Sequence, residues 1–373
     1  MTDWVNLARR VVPRRLRYGV QRFISLDELK QRWRLSKTPE GAVLHGDGDQ
    51  FGGRIRLGIL ANRALFHVNY VRACQEIGVP FAVIDLQAEN WLEQVCSGGF
   101  SAFLVWPDAT RSWWSQLFKD RCRLIESELG LRVYPDSGEC WPYENKYRMR
   151  DWLMASGMPH PRTWVFVDRE PAIEFARACE LPIVFKTAFG AAASGVQILR
   201  SRRAVLRTVR RCFGRGYAPA GHDFRDRDWG RVFLQEYIPD AIEWRLVRIG
   251  SSWFGHPKGR VGEFHSGSGV AEWSVPEPRH LALLEQVTER GGFRSMAVDV
   301  FETVDGRLLV NELQTVFGAS TSIDQMRMNG QPGRFIRDES GQWLFEPGDH
   351  ARNACANARV LDLLHLMGVS ECH

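Results

Sequence analysis

The chain has 373 residues, 44% hydrophobic and 25% charged, which is enough for a large buried core in roughly two or three sub-domains. A formal net charge of +5 is too small to indicate nucleic-acid binding. No apolar run is long enough for a transmembrane helix, no secretory signal is recognisable, and the eight cysteines form neither C-x-x-C pairs nor a zinc pattern. We therefore expect a cytoplasmic protein with reduced thiols.

The first forty residues are strongly basic. Arginines and lysines crowd between residues 9 and 37, interleaved with apolar side chains such as Trp4, Leu16 and Phe23. One interpretation is a basic amphipathic helix on an anionic membrane or a partner, which would make the protein membrane-associated. Pro13 would interrupt that helix. We favour the alternative, a charged helix packed on the main body or a partly ordered arm.

Strands and helices alternate after residue 53. Predicted strands lie at 54–60, 81–85, 102–106 and 131–134, and predicted helices lie at 67–77 and 113–129. This alternation is typical of a small parallel α/β unit, which we place at 53–140. The glycines between Gly41 and Gly53 precede the first strand, whereas a dinucleotide-binding loop would follow it. The pattern therefore does not favour a Rossmann dehydrogenase.

Mixed elements follow as far as the C-terminus. They comprise helices at 146–156 and 170–179 and strands at 163–167, 183–186, 196–199, 232–237, 244–249, 252–257, 296–301 and 308–312. The polar segment 224–230 predicts an exposed loop. The remainder of the chain, including the Ala/Leu-rich stretch 351–366, predicts a closing helix.

A predicted β-hairpin near the C-terminus carries the strongest chemical signal. Asp305-Gly306 is a sequence typical of a hairpin turn, and apolar and polar residues alternate in the segments on either side of it. Residues two apart on a strand face the same way, so Glu312 and Gln314 share a face, and strand pairing can bring Asp299 to the same end. Two carboxylates and an amide oxygen suit a hard ion such as Mg²⁺. Taken in isolation, a solvated hairpin with surface acids would be the better interpretation.

A loop of small residues follows a buried strand that ends in a lysine. The strand 181–186 ends at Lys186, and the loop 187–195 leads back into another strand. Small residues let backbone amides approach phosphate oxygens closely, and the lysine adds a positive charge. The loop is not a Walker A sequence. We expect a flexible lid over phosphates, with hinges at Gly190 and Gly195.

The segment 233–239 is an apolar strand that turns sharply at Pro239. Its backbone can offer C=O and N–H groups to an adenine edge, and Glu243 would then reach a ribose hydroxyl. On its own, this pattern indicates only an edge strand with a loop.

In their order and spacing, these features resemble the ATP-grasp superfamily, over residues 53 to about 320. The resemblance rests on the α/β unit, Asn145-Lys146, Lys186 with its loop, the hinge 235–238, and Asp299 with the Asn-Glu-x-Gln sequence at 311–314. It implies an α/β and α+β protein, in which an N-terminal parallel α/β pre-ATP-grasp domain is followed by a two-lobed ATP-grasp fold. The implied domains are a basic extension (1–52), the pre-ATP-grasp domain (53–140), an N-lobe with the glycine-rich loop (141–234) and a C-lobe with the metal hairpin (235–373).

The resemblance also implies roles for individual residues. The phosphates of ATP would be held by Lys146 and Lys186 together with loop residues Gly190, Ser194 and Gly195; the adenine would be held at Gln235, Glu236 and Ile238, and the ribose by Glu243. One or two Mg²⁺ ions, or Mn²⁺, would be held by Asp299, Glu312 and Gln314. The superfamily usually has Asn where this chain has Gln314. The longer side chain keeps the amide oxygen and changes its reach.

Residues between the hinge and the hairpin are candidates for substrate chemistry. The predicted catalytic set is Arg245, Lys258, Arg260 and Ser266, because basic side chains beside a Ser/Gly loop suit a carboxylate and an acyl phosphate. Ordinary surface residues in a mobile loop are an equal alternative for each of them taken singly. Phe317, just after the hairpin, would line the substrate side.

The implied activity is that of an ATP-dependent ligase that forms C–N bonds. A carboxylate would be activated as an acyl phosphate and coupled to an amine, with release of ADP and phosphate. A phosphotransferase (kinase) with the same ATP cradle and a nucleotide-binding scaffold without turnover stay open as alternatives. The expected partners are small-molecule or glycan substrates that carry the carboxylate or the amine, without nucleic acid, and a homodimer also stays open.

Overall fold

The structure, a computed structural model, describes residues 26–48, 50–51, 55–190, 195–218, 226–259, 275–317 and 326–369. The strands, in chain order, are β1 (His45–Gly46), β2 (Leu57–Leu60), β3 (Phe81–Ile84), β4 (Ala102–Leu104), β5 (Arg132–Tyr134), β6 (Thr163–Phe166), β7 (Ile183–Lys186), β8 (Val196–Leu199), β9 (Val232–Glu236), β10 (Ile242–Ile249), β11 (Ser252–Lys258), β12 (Ser295–Glu302), β13 (Leu308–Gln314), β14 (Arg327–Met328), β15 (Gln331–Arg337) and β16 (Trp343–Pro347). The helices are α1 (Leu26–Lys37), α2 (Val68–Ile77), α3 (Trp91–Ser97), α4 (Ser112–Ser127), α5 (Ser137–Cys140), α6 (Lys146–Ser156), α7 (Arg169–Ala178), α8 (Arg202–Phe213), α9 (Pro278–Gly291) and α10 (Arg352–Leu366).

Two compact units are built from different parts of the chain. Unit 1 contains residues 162–237 together with residues up to 38, and unit 2 contains residues 39–161 together with those from 238 onward. The four-stranded sheet β6-β9-β7-β8 belongs to unit 1. The other two sheets, β1-β3-β2-β4-β5 and β13-β12-β10-β11-β15-β14, belong to unit 2, and β16 pairs with β15 in the second of these.

The five-stranded sheet of unit 2 is the predicted parallel α/β unit. Strands β2 to β5 pair in parallel, and only the short β1 is antiparallel to its neighbour. Every residue of β2 and β4 is buried, as expected for parallel strands that are covered on both faces. Val360 and Leu363 of α10 join the core formed by Tyr70 and Val71 of α2. The C-terminal helix therefore closes the sheet that the N-terminal half of the unit begins.

The second sheet of unit 2 is antiparallel, and it contains the predicted hairpin. Strands β12 and β13 pair antiparallel, with a shift of register between Asp299 and Val300, and Gly306 takes the positive φ of 81° that the turn requires. Leu246 and Met296 pack with Leu284 and Val287 of α9 in one apolar core. The hairpin is thus held rigidly from its apolar side.

The small sheet of unit 1 packs under two helices. Ile173 of α7 and Val205 and Val209 of α8 share a core with Phe185 and Leu234 of the sheet. All three pairings in this sheet are antiparallel.

Several elements differ from the prediction. Helices α3, α5, α8 and α9 and the short strand β1 were not predicted, and the closing helix is only α10, because β14, β15 and β16 precede it. The polar segment at 224–230 was predicted to be exposed, yet Asp228 is buried and pairs through its backbone with Tyr217. The short strands β14 to β16 contain Gly, Pro and Arg and show little alternation of apolar and polar residues. The burial of Asp228 could not be predicted, because it depends on partners that the local sequence does not reveal.

Two further observations concern membranes and thiols. Among the helices of the described residues, none is both long and apolar enough to cross a membrane. The seven cysteines within the described ranges are free thiols, and all but Cys96 are buried.

Candidate functional site

A row of polar and charged residues, which we call the charge row, crosses the antiparallel sheet of unit 2. His256 on β11 lies opposite Arg245 on β10, Arg245 lies opposite Asp299 on β12, and Asp299 lies opposite Glu312 on β13. Directly opposed residues of antiparallel strands project from the same face of a sheet. Strand register therefore brings together predicted residues that are 67 positions apart in sequence, from Arg245 to Glu312.

Asp299 is the centre of this row and is fully buried. Arg245 donates to both of its oxygens, from Nε at 3.0 Å and from Nη2 at 3.1 Å. Lys258 contacts Asp299 Oδ2 at 2.5 Å and Glu243 Oε1 at 2.7 Å. Burial alone would raise the pKa of Asp299, but Arg245 and Lys258 outweigh it and hold that pKa well below its usual range. Asp299 is therefore a carboxylate that fixes two cations in place.

Glu312 and Gln314 lie on β13, the strand next to that of Asp299. Lys146, the first residue of α6, approaches Glu312 with its Nζ 3.5 Å from Oε1. The N-cap residue Asn145 accepts a hydrogen bond from the Arg148 amide, which sets where the helix begins and hence where Lys146 points. The structure thus brings Lys146 to the hairpin.

Gln314 has one carbonyl oxygen that suits a metal ligand. Its Nε2 contacts Glu312 Oε2 at 3.4 Å, whereas its Oε1 is buried without a hydrogen-bond partner in the described part of the chain. An orphaned, buried acceptor beside a carboxylate is the arrangement that a hard cation would complete. Glu312 and Gln314 therefore fit Mg²⁺, while both oxygens of Asp299 already contact cations. No group of three or more His, Cys, Asp or Glu in the described ranges has a metal-binding arrangement.

Glu144 lies near Lys146 and Glu312 and is not among the residues predicted from the sequence. It is buried, and it has a positive φ of 51°, which is costly for a residue with a side chain. Burial raises its pKa; Lys146 opposes this effect and Glu312 adds to it. Its position directly before Asn145-Lys146 is the only signal in the sequence that could have pointed to it.

The lysine and the small-residue loop of unit 1 have the predicted form where they are described. Lys186 is buried at the end of β7, and the Thr187 amide donates to the Gly195 carbonyl at 3.0 Å. A Cβ at Gly195 would lie 1.8 Å from Thr187 Oγ1, so only glycine fits there. Gly190 has a φ of 135°, also a glycine conformation. The loop therefore needs both of its predicted hinge glycines.

Buried Asp228 anchors the start of this loop. Its Oδ2 accepts a hydrogen bond from the Ala188 amide at 2.5 Å, and its Oδ1 accepts one from Arg231 Nε at 2.7 Å. The polar segment that looked like a surface loop in the sequence thus supports the backbone just after Lys186.

The predicted adenine residues lie at the end of β9 and just beyond it. Gln235 is buried and donates from Nε2 to Thr163 Oγ1 at 3.1 Å. The carboxylate of Glu236 is held by Arg162, through the backbone N at 2.7 Å and Nε at 2.8 Å. Ile238 is half-buried. The side chains of Gln235 and Glu236 are thus occupied, which is compatible with a role for their main chain.

Three predicted residues lie outside the described ranges. These are Ser194 in the loop and Arg260 and Ser266 in the predicted catalytic set. The basic stretch between residues 9 and 25 also lies outside them. Their assignments stay predictions.

Comparison with known proteins gives the fold. No protein-family model and no curated sequence matches the chain. The biotin carboxylase domain of 2-oxoglutarate carboxylase from Hydrogenobacter thermophilus superimposes with a TM-score of 0.54 and 16% identity, over 70% of this chain and 64% of that one. D-alanyl-alanine synthetase A from Vibrio cholerae has a TM-score of 0.50 and 16% identity, over 70% of this chain and 89% of that one.

These two similarities show the fold of the chain. It is the fold that the resemblance to the ATP-grasp superfamily implies. The chain spans 64% of the length of the carboxylase domain.

Proposed function

We propose that this protein is an ATP-dependent ligase that activates a carboxylate as an acyl phosphate and couples it to an amine. The observation that carries the proposal is the charge row on an ATP-grasp fold, with Lys146 and the unsatisfied Gln314 Oε1 beside it. The carboxylase domain that shares this fold was solved with MgADP and bicarbonate, which supports the use of ATP and Mg²⁺. The synthetase is named for a product that joins two alanines.

The proposal assigns each part of the site a task. Lys146 and Lys186 would contact the phosphates of ATP, Glu243 the ribose, and the hinge 235–238 the adenine. Mg²⁺ at Glu312 and Gln314 would offset the negative charge of the phosphate oxygens. Asp299, which was also predicted as a metal ligand, instead holds Arg245 and Lys258.

Arg245 and Lys258 would act on the reacting groups. Two parallel hydrogen bonds to Asp299 hold the guanidinium of Arg245 in one plane, so it is oriented before any substrate binds. Lys258 is similarly fixed between Glu243 and Asp299. Pre-oriented cations stabilise charge that develops on a phosphoryl or tetrahedral oxygen without a reorganisation cost. The carboxylate oxygen attacks the γ-phosphorus, ADP leaves, and the amine then displaces phosphate from the carbonyl carbon.

The test is a screen of carboxylates for ADP release, with hydroxylamine as the amine. A ligase releases ADP and gives a hydroxamate from its carboxylate substrate, detected by mass. A phosphotransferase gives a stable phosphoester instead, and a scaffold gives neither product. ADP release with a phosphoester and without a hydroxamate would rule out the ligase assignment.

A further inference from the structure

Arg359 on α10 is a buried arginine with an incomplete set of partners. Its Nε donates to Ser295 Oγ and its Nη1 to the Ala354 carbonyl, each at 2.9 Å. Its Cζ lies 5.9 Å from the ring centroid of Trp106 and 5.5 Å from that of Phe317. Its Nη2 is buried and has no acceptor within the part of the chain that the structure describes.

Among the described residues, this guanidinium has no ion pair with a carboxylate. The two acceptors of its hydrogen bonds are neutral oxygens. Arginine remains protonated in proteins. A buried cation is unfavourable unless it is paired, and buried charges are normally paired for that reason. Arg359 is therefore expected to have an anionic partner that does not belong to the described chain.

The backbone next to Arg359 holds it in one orientation. Residues 353–355 have φ values of 51°, 56° and 62°, a left-handed run that is unfavourable for residues other than glycine. Glu76 of α2 fixes this run by accepting a hydrogen bond from Asn353 Nδ2 at 3.0 Å. The Ala354 carbonyl is thereby presented to Nη1. Strain of this kind persists where the surrounding structure enforces it, and it is common at binding sites.

Arg359 also lies close to the charge row. The Cζ atoms of Arg359 and Arg245 are each 5.5 Å from the centroid of the Phe317 ring, so they are no more than 11 Å apart. Trp106 follows β4, at the carboxyl edge of the parallel sheet. Sheets of this class bind ligands outside the carboxyl ends of their strands.

We infer that Nη2 of Arg359 binds a substrate carboxylate that is not consumed in the reaction. The inference rests on the proposed ligase function and narrows its substrate class. One substrate carries this second carboxylate in addition to its reacting amine or carboxylate, as an amino acid or a dicarboxylate does. The planar fork of a guanidinium matches a carboxylate. A buried water would satisfy the hydrogen bond but would leave the charge unpaired.

The test measures thermal unfolding of the full chain in sodium acetate, with sodium chloride and sodium phosphate at equal ionic strength as references. Acetate raises the midpoint in the wild type, since a ligand that binds only the folded state stabilises it. Arg359→Met loses this response. Arg248→Met keeps it, because Arg248 is a half-buried arginine over the Trp253 ring that bonds Thr288 and is not part of the proposed site.

If Arg359→Met does not fold, Arg359→Lys is tested in its place. It keeps the charge and loses the planar fork, and its affinity for acetate falls about tenfold. An acetate response in Arg359→Met equal to that of the wild type, or an unchanged affinity in Arg359→Lys, would overturn the inference. Stabilisation by phosphate and not by acetate would overturn it as well.

Turnover separates this inference from the proposed function. With the substrates in hand, Arg359→Lys raises the KM of the carboxylate-bearing substrate and leaves the KM of ATP unchanged. If acetate stabilises the protein but no hydroxamate forms, the anion site at Arg359 is supported and the ligase proposal is overturned. If a hydroxamate forms but acetate does not stabilise the protein, the ligase proposal is supported and the anion site is overturned.

Discussion

The two sheets of unit 2 distribute charge in opposite ways. Strands β2 and β4 of the parallel sheet are wholly buried and contain no charged residue. In the antiparallel sheet, Trp244 and Leu246 join the apolar core, while Arg245 between them meets Asp299 on the next strand. Parallel strands are covered on both faces and leave no place for charge, whereas alternation on antiparallel strands allows a charged row beside the core.

This contrast indicates that the parallel sheet contributes mainly to stability, whereas the antiparallel sheet carries the residues of the proposed chemistry. The parallel sheet supplies a support, and the buried polar residues Asn62 and Asp108 lie in the loops that follow β2 and β4. The antiparallel sheet buries carboxylates and cations together, at a desolvation cost that paired geometry offsets. Substitutions in the two sheets should therefore have different consequences, the largest of them for turnover.

The largest expected effect is that of Glu312→Ala on turnover. Removal of this carboxylate takes away the partner of Lys146 and the neighbour of Gln314, so ADP release should fall by about 1,000-fold or more. Asp305→Ala, in the exposed turn of the same hairpin, is the matched control and should keep full activity. Circular dichroism should show both variants folded. Full activity in Glu312→Ala would remove the site assignment.

The next effect is on stability, from Asp299→Asn. The neutral amide leaves Arg245 and Lys258 facing a buried site without their shared carboxylate, which should cost about 3 kcal/mol of unfolding free energy. Asp299→Asn/Arg245→Met should recover part of this loss, because one uncompensated charge is then gone and Lys258 keeps Glu243. Urea unfolding of the single and double variants measures it. Additive losses would show that the pair is not coupled.

The smallest effect concerns the parallel sheet and depends on pH. Burial lowers the pKa of His67 to about 4, and its Nδ1 accepts the Asn62 amide just after β2, which requires the neutral ring. The unfolded state binds the proton more readily, so this stabilisation is complete above about pH 6.5 and is lost as the pH falls through about 4. Its upper limit is about 3 kcal/mol.

His67→Gln should flatten the unfolding free energy between these pH values relative to the wild type. His365→Gln, at an exposed position on α10, is the control and should follow the wild-type curve. Parallel curves for the wild type and His67→Gln would contradict the prediction.

Much of the fold was predictable because its signals are local. The strands at 183–186 and 196–199 and the helix at 146–156 have the predicted bounds, since apolar periodicity and their Gly and Pro boundaries are encoded within each segment. The hairpin with its Asp305-Gly306 turn was equally legible. In contrast, β14 to β16 were missed, because short strands become strands only when a partner satisfies their backbone.

The candidate site also combines features that the local sequence predicts with features that only the tertiary structure shows. The sequence by itself predicts Lys146, Asp299 and Glu312 as site residues, from their residue types and from the order of motifs that the resemblance rests on. Only the tertiary structure decided what each does: Asp299 holds two cations, and Gln314 offers the unsatisfied oxygen. Burial and register across strands distant in sequence set these roles.

Arg359 marks the limit of sequence reasoning in this protein. In the sequence it is one arginine on an amphipathic helix, which is usually a solvated position. The return of α10 to the parallel sheet buries it between Trp106 and Phe317. No local pattern specifies that contact, because it depends on segments more than 200 residues apart being brought together by the core they share.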